Sequence, residues 1–267
     1  MANDSIVSVI IPIYNPKLRV FKKCINSLLN QTYKDIEIII IDDSANTEKN
    51  KSFLKAFNSK KLQHHVPTKK LGLAASINKG IGLSNGNYIA RADCDDYYHP
   101  NRIKKQLLIL KSMKSVELCG TNCVKVDLND IAVGLRNYPE HNASIQRKMH
   151  FTSPFAHPSV MFKKSFFKKY GKYKTDIDIE DYELWLRAKK NGCIFYNIQE
   201  HLTYLRVENV SKFSRPRHWK ENLKLKVKYF DNNFLFESFA GVFLFSIVSI
   251  IPSRISKKLY EVVQKIR

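Results

Sequence analysis

The sequence predicts an α/β protein built on a mostly parallel sheet flanked by helices, and three observations carry that expectation. Residues 36–41 are nearly all isoleucine, short apolar runs alternate with helix-period segments, and two acidic clusters directly follow such runs. A strand apolar on both faces belongs inside a parallel sheet that helices cover on both sides. Repeated strand–helix units give a doubly wound sheet, whose ligands sit outside the carboxyl ends of the strands.

The elements are read in order. Residues 6–13 form a β-branched run long enough for a strand and too short for a membrane span. After Asn15-Pro16, Leu18, Phe21, Ile25 and Leu28 recur at helical spacing. The isoleucine strand ends at Asp42 and Asp43. A polar helix over 47–58, a short strand over 62–66, a helix over 73–83 and a strand over 88–92 follow, the last running into Asp93. Pro100 opens a helix with Ile103, Leu107 and Leu110 on one face. Beyond Val116 the pattern is mixed, with short strands expected over 116–126 and 159–162 and a helix over 181–190. Residues 1–210 read as one catalytic domain, with a nucleotide-binding half to about 100 and an acceptor half from there to 210; residues 211–267 read as a basic and apolar helical extension.

Composition narrows the classes. The 267 residues include 45 Lys and Arg against 24 Asp and Glu, a formal net charge of +21. Such a field concentrates anions: nucleic acid, anionic lipid or phosphorylated substrates. No nucleic-acid motif accompanies it, so nucleic acid is not an expected partner. The bland alternative is solvated lysine on helix faces. Five scattered cysteines, of which only Cys119 and Cys123 are close, complete no metal-ligand set. They read as free thiols in a reducing compartment. The N-terminal run lacks a basic segment before it and reads as a buried strand, not a signal peptide, so a cytoplasmic protein is expected.

Basic residues crowd the chain from Lys212 to Lys228, residues 234–251 are strongly apolar, and Arg254, Lys257 and Lys258 follow. The uncharged stretch, 238–251, is shorter than the roughly 20 residues that span hydrocarbon. An apolar helix between basic flanks fits a segment lying in an anionic membrane surface. The competing reading is a helix docked on the protein's own core.

Four motifs carry chemistry. Asp93, Asp95 and Asp96, in the run Asp93-Cys94-Asp95-Asp96, repel one another unless a cation neutralises them. Hard oxygens suit Mg²⁺ or Mn²⁺, which bind through one or two carboxylates plus substrate phosphates. Asp42 and Asp43 stand where a carboxylate meets a nucleobase or ribose, with helix capping as the competing role. Residues 70–80, KLGLAASINKG, let a backbone approach a ligand at a helix N-terminus, a place that favours phosphate. Glu180 and Asp181 precede a stripe containing Leu184 and Trp185 and are expected at the exposed end of their helix, where a carboxylate serves as general base or as a cap.

In this order the stretches VSVIIPIYN, QTYKDIEIIIIDD, LGLAASINKGI, GNYIARADCDD, HPSVMF and EDYELWLR resemble the family 2 glycosyltransferases, over roughly residues 8–187. The resemblance implies the A-type nucleotide-diphospho-sugar transferase fold and transfer of a sugar from a nucleotide-diphosphate donor, commonly UDP-linked, to an acceptor hydroxyl. It implies a donor pocket begun by Pro12, Tyr14 and Asn15 and continued by Asp42, Asp43, Lys70, Gly72, Asn78, Arg91, Asp93 and Cys94. Asp95 and Asp93 would hold Mn²⁺ or Mg²⁺, Asp181 would act as base for an inverting displacement, and Glu180, Trp185 and His157 would lie on the acceptor side. A lipid-linked saccharide of bacterial surface-polysaccharide synthesis (O-antigen, capsule or lipooligosaccharide) is the expected acceptor, met at the cytoplasmic face of the inner membrane. Two positions depart from the pattern. Lys70 stands where many relatives carry Asn, and Tyr204 to Ser211 contains no His, leaving that metal-ligand position unfilled; Arg206 is a candidate for the diphosphate. One rival is a nucleotidyltransferase on sugar phosphates, but Pro12-Ile13-Tyr14-Asn15 stands where its Gly-rich loop belongs. The other, a non-enzymatic polyanion- or membrane-binding module, leaves both acidic clusters unexplained.

Overall fold

The computed structural model describes residues 6–207 and 216–250. Its first half is the expected alternation: β1 (Val7–Ile13), α1 (Leu18–Leu29), β2 (Ile36–Asp42), α2 (Thr47–Lys55), β3 (Leu62–His65), α3 (Leu73–Leu83) and β4 (Tyr88–Arg91). The strands lie side by side in the order β3-β2-β1-β4, all parallel. Every residue of β1 and of β2 is buried. Alternate β1 side chains explain why: Ile10 joins the apolar cluster beneath α3, while Val9 and Ile11 join the cluster formed with α1.

The second half continues the sheet. It contains β5 (Tyr97–Tyr98), α4 (Arg102–Ser112), β6 (Val116–Val126), β7 (Ala132–Arg136), α5 (Asn142–Lys148), β8 (Met161–Lys163), α6 (Ser165–Tyr170), α7 (Glu180–Lys190) and β9 (Ile194–Arg206). The path runs on from β4 through β8, β6 and β9 to β5, with β7 paired to β6. β8 is antiparallel to both neighbours, whereas β6 and β9 pair in parallel. The expected short strands over 116–126 are thus one 11-residue strand, and β9, of 13 residues, was not foreseen. Its sequence, IFYNIQEHLTYLR, shows neither strict alternation nor a continuous apolar run, because Asn197 and Thr203 are buried polar residues.

Parallel pairing brings the carboxyl ends of β1, β2 and β4 to one edge, so the Asp42 and Asp93 clusters share that edge. The opposite edge carries a structural carboxylate. Glu37 accepts from Ser8 Oγ at 2.6 Å, Gln63 Nε2 at 2.9 Å and the Asn85 backbone N–H at 2.6 Å. These bonds hold its pKa below the usual range despite burial, which acts to raise it.

The C-terminal part forms a helical hairpin, α8 (Pro216–Lys228) and α9 (Leu235–Ile250). The boundary expected at 210 and the basic tail 251–267 lie outside the described residues. The hairpin docks on the body: Leu225 enters the cluster that holds Trp185, Asp231 pairs with Lys189 at 2.9 Å, and Tyr229 donates to Glu183 at 2.6 Å. Core docking, the competing reading of this segment, therefore describes one face of the hairpin. No helix among the described residues is long and apolar enough to cross a membrane.

Candidate active site

The chain leaves β4 through a tightly cinched turn. Tyr98 Oη accepts from the Asp93 backbone N–H at 2.8 Å, and Cys24 Sγ donates to the Asp93 carbonyl at 3.2 Å. Arg91, just upstream, is buried and donates to Asp93 Oδ1 at 2.6 Å. Asp96 is buried and accepts from the Arg206 backbone N–H at 2.8 Å. Asp93, Asp95 and Asp96 each offer an oxygen, and the three oxygens lie within 4.8 Å of one another. Burial and the neighbouring Asp93 charge push the Asp95 pKa up to about 6, and the same two causes raise Asp96. Three hard oxygens under mutual repulsion are a donor set that fits a divalent cation.

Glu180 and Asp181 open α7. Behind them Leu184 and Trp185 are wholly buried, which fixes the helix rotation and turns its first carboxylates toward the aspartate turn. Glu180 is itself buried, contrary to the exposed end expected from sequence. Burial, then the Asp181 charge, raise the Glu180 pKa to about 8. Asp181 is raised by burial, against the lowering effect of its hydrogen bond from the Tyr182 N–H at 2.7 Å. Both carboxyls are thus pushed toward the protonated form, Glu180 up to about 8. Folding then costs stability as pH rises from the usual Glu range toward 8, because the folded chain binds the extra proton. Glu180→Gln is expected to flatten that descent and to melt above wild type at pH 9, as Tm measured against pH would show.

Both carboxylate groups line one cleft of about 560 Å³, with Asp93, Asp95 and Asp96 joined by Glu180, Asp181, Tyr182 and His157. They lie 84 or more positions apart in sequence, counted from Asp96 to Glu180. His157 Nε2 sits 3.1 Å from Tyr173 Oη. Burial, then the nearby Arg91 charge, push its pKa well below the ordinary value, so the ring stays neutral. Arg136, Asn222 and Phe155 also line the cleft and were not singled out from sequence. Arg136 lies on the unforeseen β7, and Asn222 on an extension read only for its charge and apolarity.

A second cavity of about 300 Å³ lies at the ends of β1 and β2, between Tyr14, Asp42, Asp43, Val66 and Lys70. The Lys70 ammonium stands 4.6 Å from the Tyr14 ring centre. Asp42 forms its floor, fully buried, receiving Asn50 Nδ2 at 3.0 Å and meeting His64 Nε2 at 2.8 Å.

Several expected donor contacts are occupied elsewhere. Asp43 accepts from the Leu71 and Gly72 backbone N–H groups, both at 2.8 Å, so those two amides at the start of α3 are not offered to a phosphate. The Asn78 amide pairs with the Tyr173 backbone, donating at 2.8 Å and accepting at 3.0 Å, and lines neither cavity. Pro12 is buried within β1, and Asn15, at φ 46°, ties the loop after β1 to Ser44 and Ala45. Arg91 lies behind Asp93 and does not line the cleft; Cys94 packs toward the cluster around α1. Trp185, expected on the acceptor side, is core. Arg206 lines the cleft, but its guanidinium is fastened to the Asp127 carbonyl at 2.5 Å and to the Asp130 carboxylate.

Residues 8–171 match the family model described as "Glycosyl transferase family 2". The chain belongs to glycosyltransferase family 2. Among curated relatives of this transferase is the O-antigen biosynthesis glycosyltransferase WbnJ of Escherichia coli, 33% identical over 70% of this chain and 74% of that protein. Another, also from Escherichia coli, is named UDP-Gal:alpha-D-GlcNAc-diphosphoundecaprenol beta-1,3-galactosyltransferase, 30% identical over 74% of this chain and 73% of its own. In fold the transferase is similar to S. aureus TarS 1-349 in complex with UDP-GlcNAc, at TM-score 0.70, 15% identity, and 96% and 79% of the two chains. It is likewise similar to a mannosyltransferase from Pyrobaculum calidifontis in complex with GDP-Man and Mn²⁺, at TM-score 0.66, 15% identity, and 96% and 73% coverage. The transferase thus has the expected A-type fold, and it has relatives in bacterial polysaccharide synthesis.

Proposed function

We propose that this transferase moves a sugar from a nucleotide-diphosphate donor, UDP-linked, to a hydroxyl of a lipid-linked saccharide, with inversion, at an anionic membrane surface on the cytoplasmic side. The observation that carries the reading is the single cleft in which an aspartate cluster faces the Glu180–Asp181 pair. The nucleotide occupies the smaller cavity, its base beside Tyr14 and Lys70 and its ribose toward the Asp42 floor. Asp95 and Asp93, with Asp96 beside them, would hold Mn²⁺ or Mg²⁺, and such a cation supplies charge neutralisation at a leaving diphosphate. Arg91 orients Asp93 from behind through its 2.6 Å contact with Oδ1.

Asp181 takes the proton of the acceptor hydroxyl while that oxygen forms its bond to the anomeric carbon and the bond to the diphosphate oxygen breaks on the opposite face. Burial and the Asp181 charge push Glu180 up to about 8, so Asp181 is the carboxyl assigned as base. Neutral His157 and the Tyr182 side orient the acceptor. The lipid-linked acceptor is favoured by the relative whose printed name specifies a diphosphoundecaprenol-linked sugar. Incubation with UDP-sugars, Mn²⁺ and diphosphoundecaprenol-linked saccharides, followed by NMR of the product, tests the reading. An anomeric configuration opposite to that of the donor is expected; a retained configuration would overturn the single displacement.

A further inference from the structure

Each helix of the C-terminal hairpin carries an exposed row, and the two rows differ in chemistry. On α9, Phe236, Phe239, Phe243 and Ile247 are 81%, 61%, 68% and 39% exposed. Intervals of three and four residues set them on one side of the helix. The other side is fastened down: Ser238 and Phe245 are buried, and a Cβ on Gly241 would fall 2.2 Å from the His150 carbonyl oxygen. On α8, Lys220, Lys224 and Lys228 are exposed at intervals of four, a row of cations on one side. Lys226, by contrast, turns inward to the His150 carbonyl at 2.7 Å and the Tyr182 hydroxyl at 2.8 Å.

We propose that this hairpin docks the protein on an anionic lipid bilayer, with the apolar row of α9 at the acyl boundary and the lysine row of α8 against the headgroups. Charge selects the occupant. In a chain of net charge +21, pairing with a second copy brings one cationic row toward another, whereas anionic headgroups neutralise both the row and the field behind it. Length sets the mode: the uncharged stretch 238–251, closed by Pro252 and Arg254, falls short of the roughly 20 residues that span hydrocarbon, so the segment is taken to lie in the plane of the surface. The same hairpin contributes Asn222 to the cleft wall. Its attachment therefore holds the acceptor side of the cleft beside the headgroup layer. Only this last orientation rests on the transferase reading; lipid binding is measured with neither donor nor acceptor present.

The test is sedimentation of the full chain with phosphatidylcholine vesicles, with and without phosphatidylglycerol. Binding to the phosphatidylglycerol vesicles is expected, weakening as salt screens the headgroups. Phe236→Ser combined with Phe243→Ser is expected to lower the partition at least about tenfold, since each buried ring carries that order of free energy. Lys220→Glu combined with Lys224→Glu is expected to erase the preference for phosphatidylglycerol. Equal sedimentation of wild type and the phenylalanine pair would overturn the proposal. So would a fall in the Tm of that pair without vesicles, or a wild-type dimer by light scattering that the pair abolishes, since either means that protein already covers the row. The Tm rise with UDP-sugar and Mn²⁺ separates the two readings: its absence in a wild type that binds vesicles counts against the transfer reaction and not against docking.

Discussion

Asp181→Asn is expected to lower turnover by about 10²- to 10⁴-fold, the usual contribution of a positioned base. An amide of the same shape fills the space at the start of α7 but accepts no proton at neutral pH. Donor capture draws on the other wall of the cleft and on the smaller cavity, so the donor-induced rise in Tm should survive the change. The raised pKa of Asp181, set by burial, makes it a stronger base than a solvated aspartate. Steady-state kinetics beside thermal melts of the same preparations check both halves. Near-normal transfer by Asp181→Asn would remove the assignment, and a lost donor response would move Asp181 to the binding side.

Asp95→Ala should act in the opposite sense on the two measurements. Without metal, removing one of three crowded carboxylates relieves the burial and the repulsion from Asp93 that hold Asp95 near 6, and the variant is expected to melt at or above wild type above that pH. With Mn²⁺ and a nucleotide sugar, wild type should gain stability by mass action, about 2.7 kcal/mol at a hundredfold excess over Kd. The variant should gain little, and its transfer should collapse. Melts with and without chelator separate the two effects. A variant that answers Mn²⁺ and donor like wild type would show that the cluster does not hold the cation.

What could be read in advance followed from local rules. The isoleucine run announced β2 because burial on both faces leaves no polar position, and the aspartates after β2 and β4 fell on one edge because those strands are parallel with β1. The mutual approach of Asp93 and Asp181 was implied by family resemblance and by nothing in their spacing. The residues placed wrongly share a cause. Asn78 and Trp185 sit in the right motifs, but the destination of a side chain depends on partners distant in sequence, Tyr173 for Asn78 and the cluster around Phe162 for Trp185. β9 escaped notice for a related reason: its buried Asn197 amide donates to the carbonyls of Pro139, at 2.8 Å, and Pro154, at 3.2 Å, both distant in sequence.

The carboxylate of Asp43, closed over the first turn of α3, carries one more implication. In many nucleotide-binding folds an open helix start shares the task of cradling phosphate. Here an anion already sits in that seat, so on the proposed reading a pyrophosphate brought to α3 would meet like charge. Compensation would then fall to cations elsewhere around the donor, and Asp43→Asn, by removing that negative charge, is expected to reduce the dependence of donor binding on a metal, read as the donor-induced rise in Tm with and without Mn²⁺.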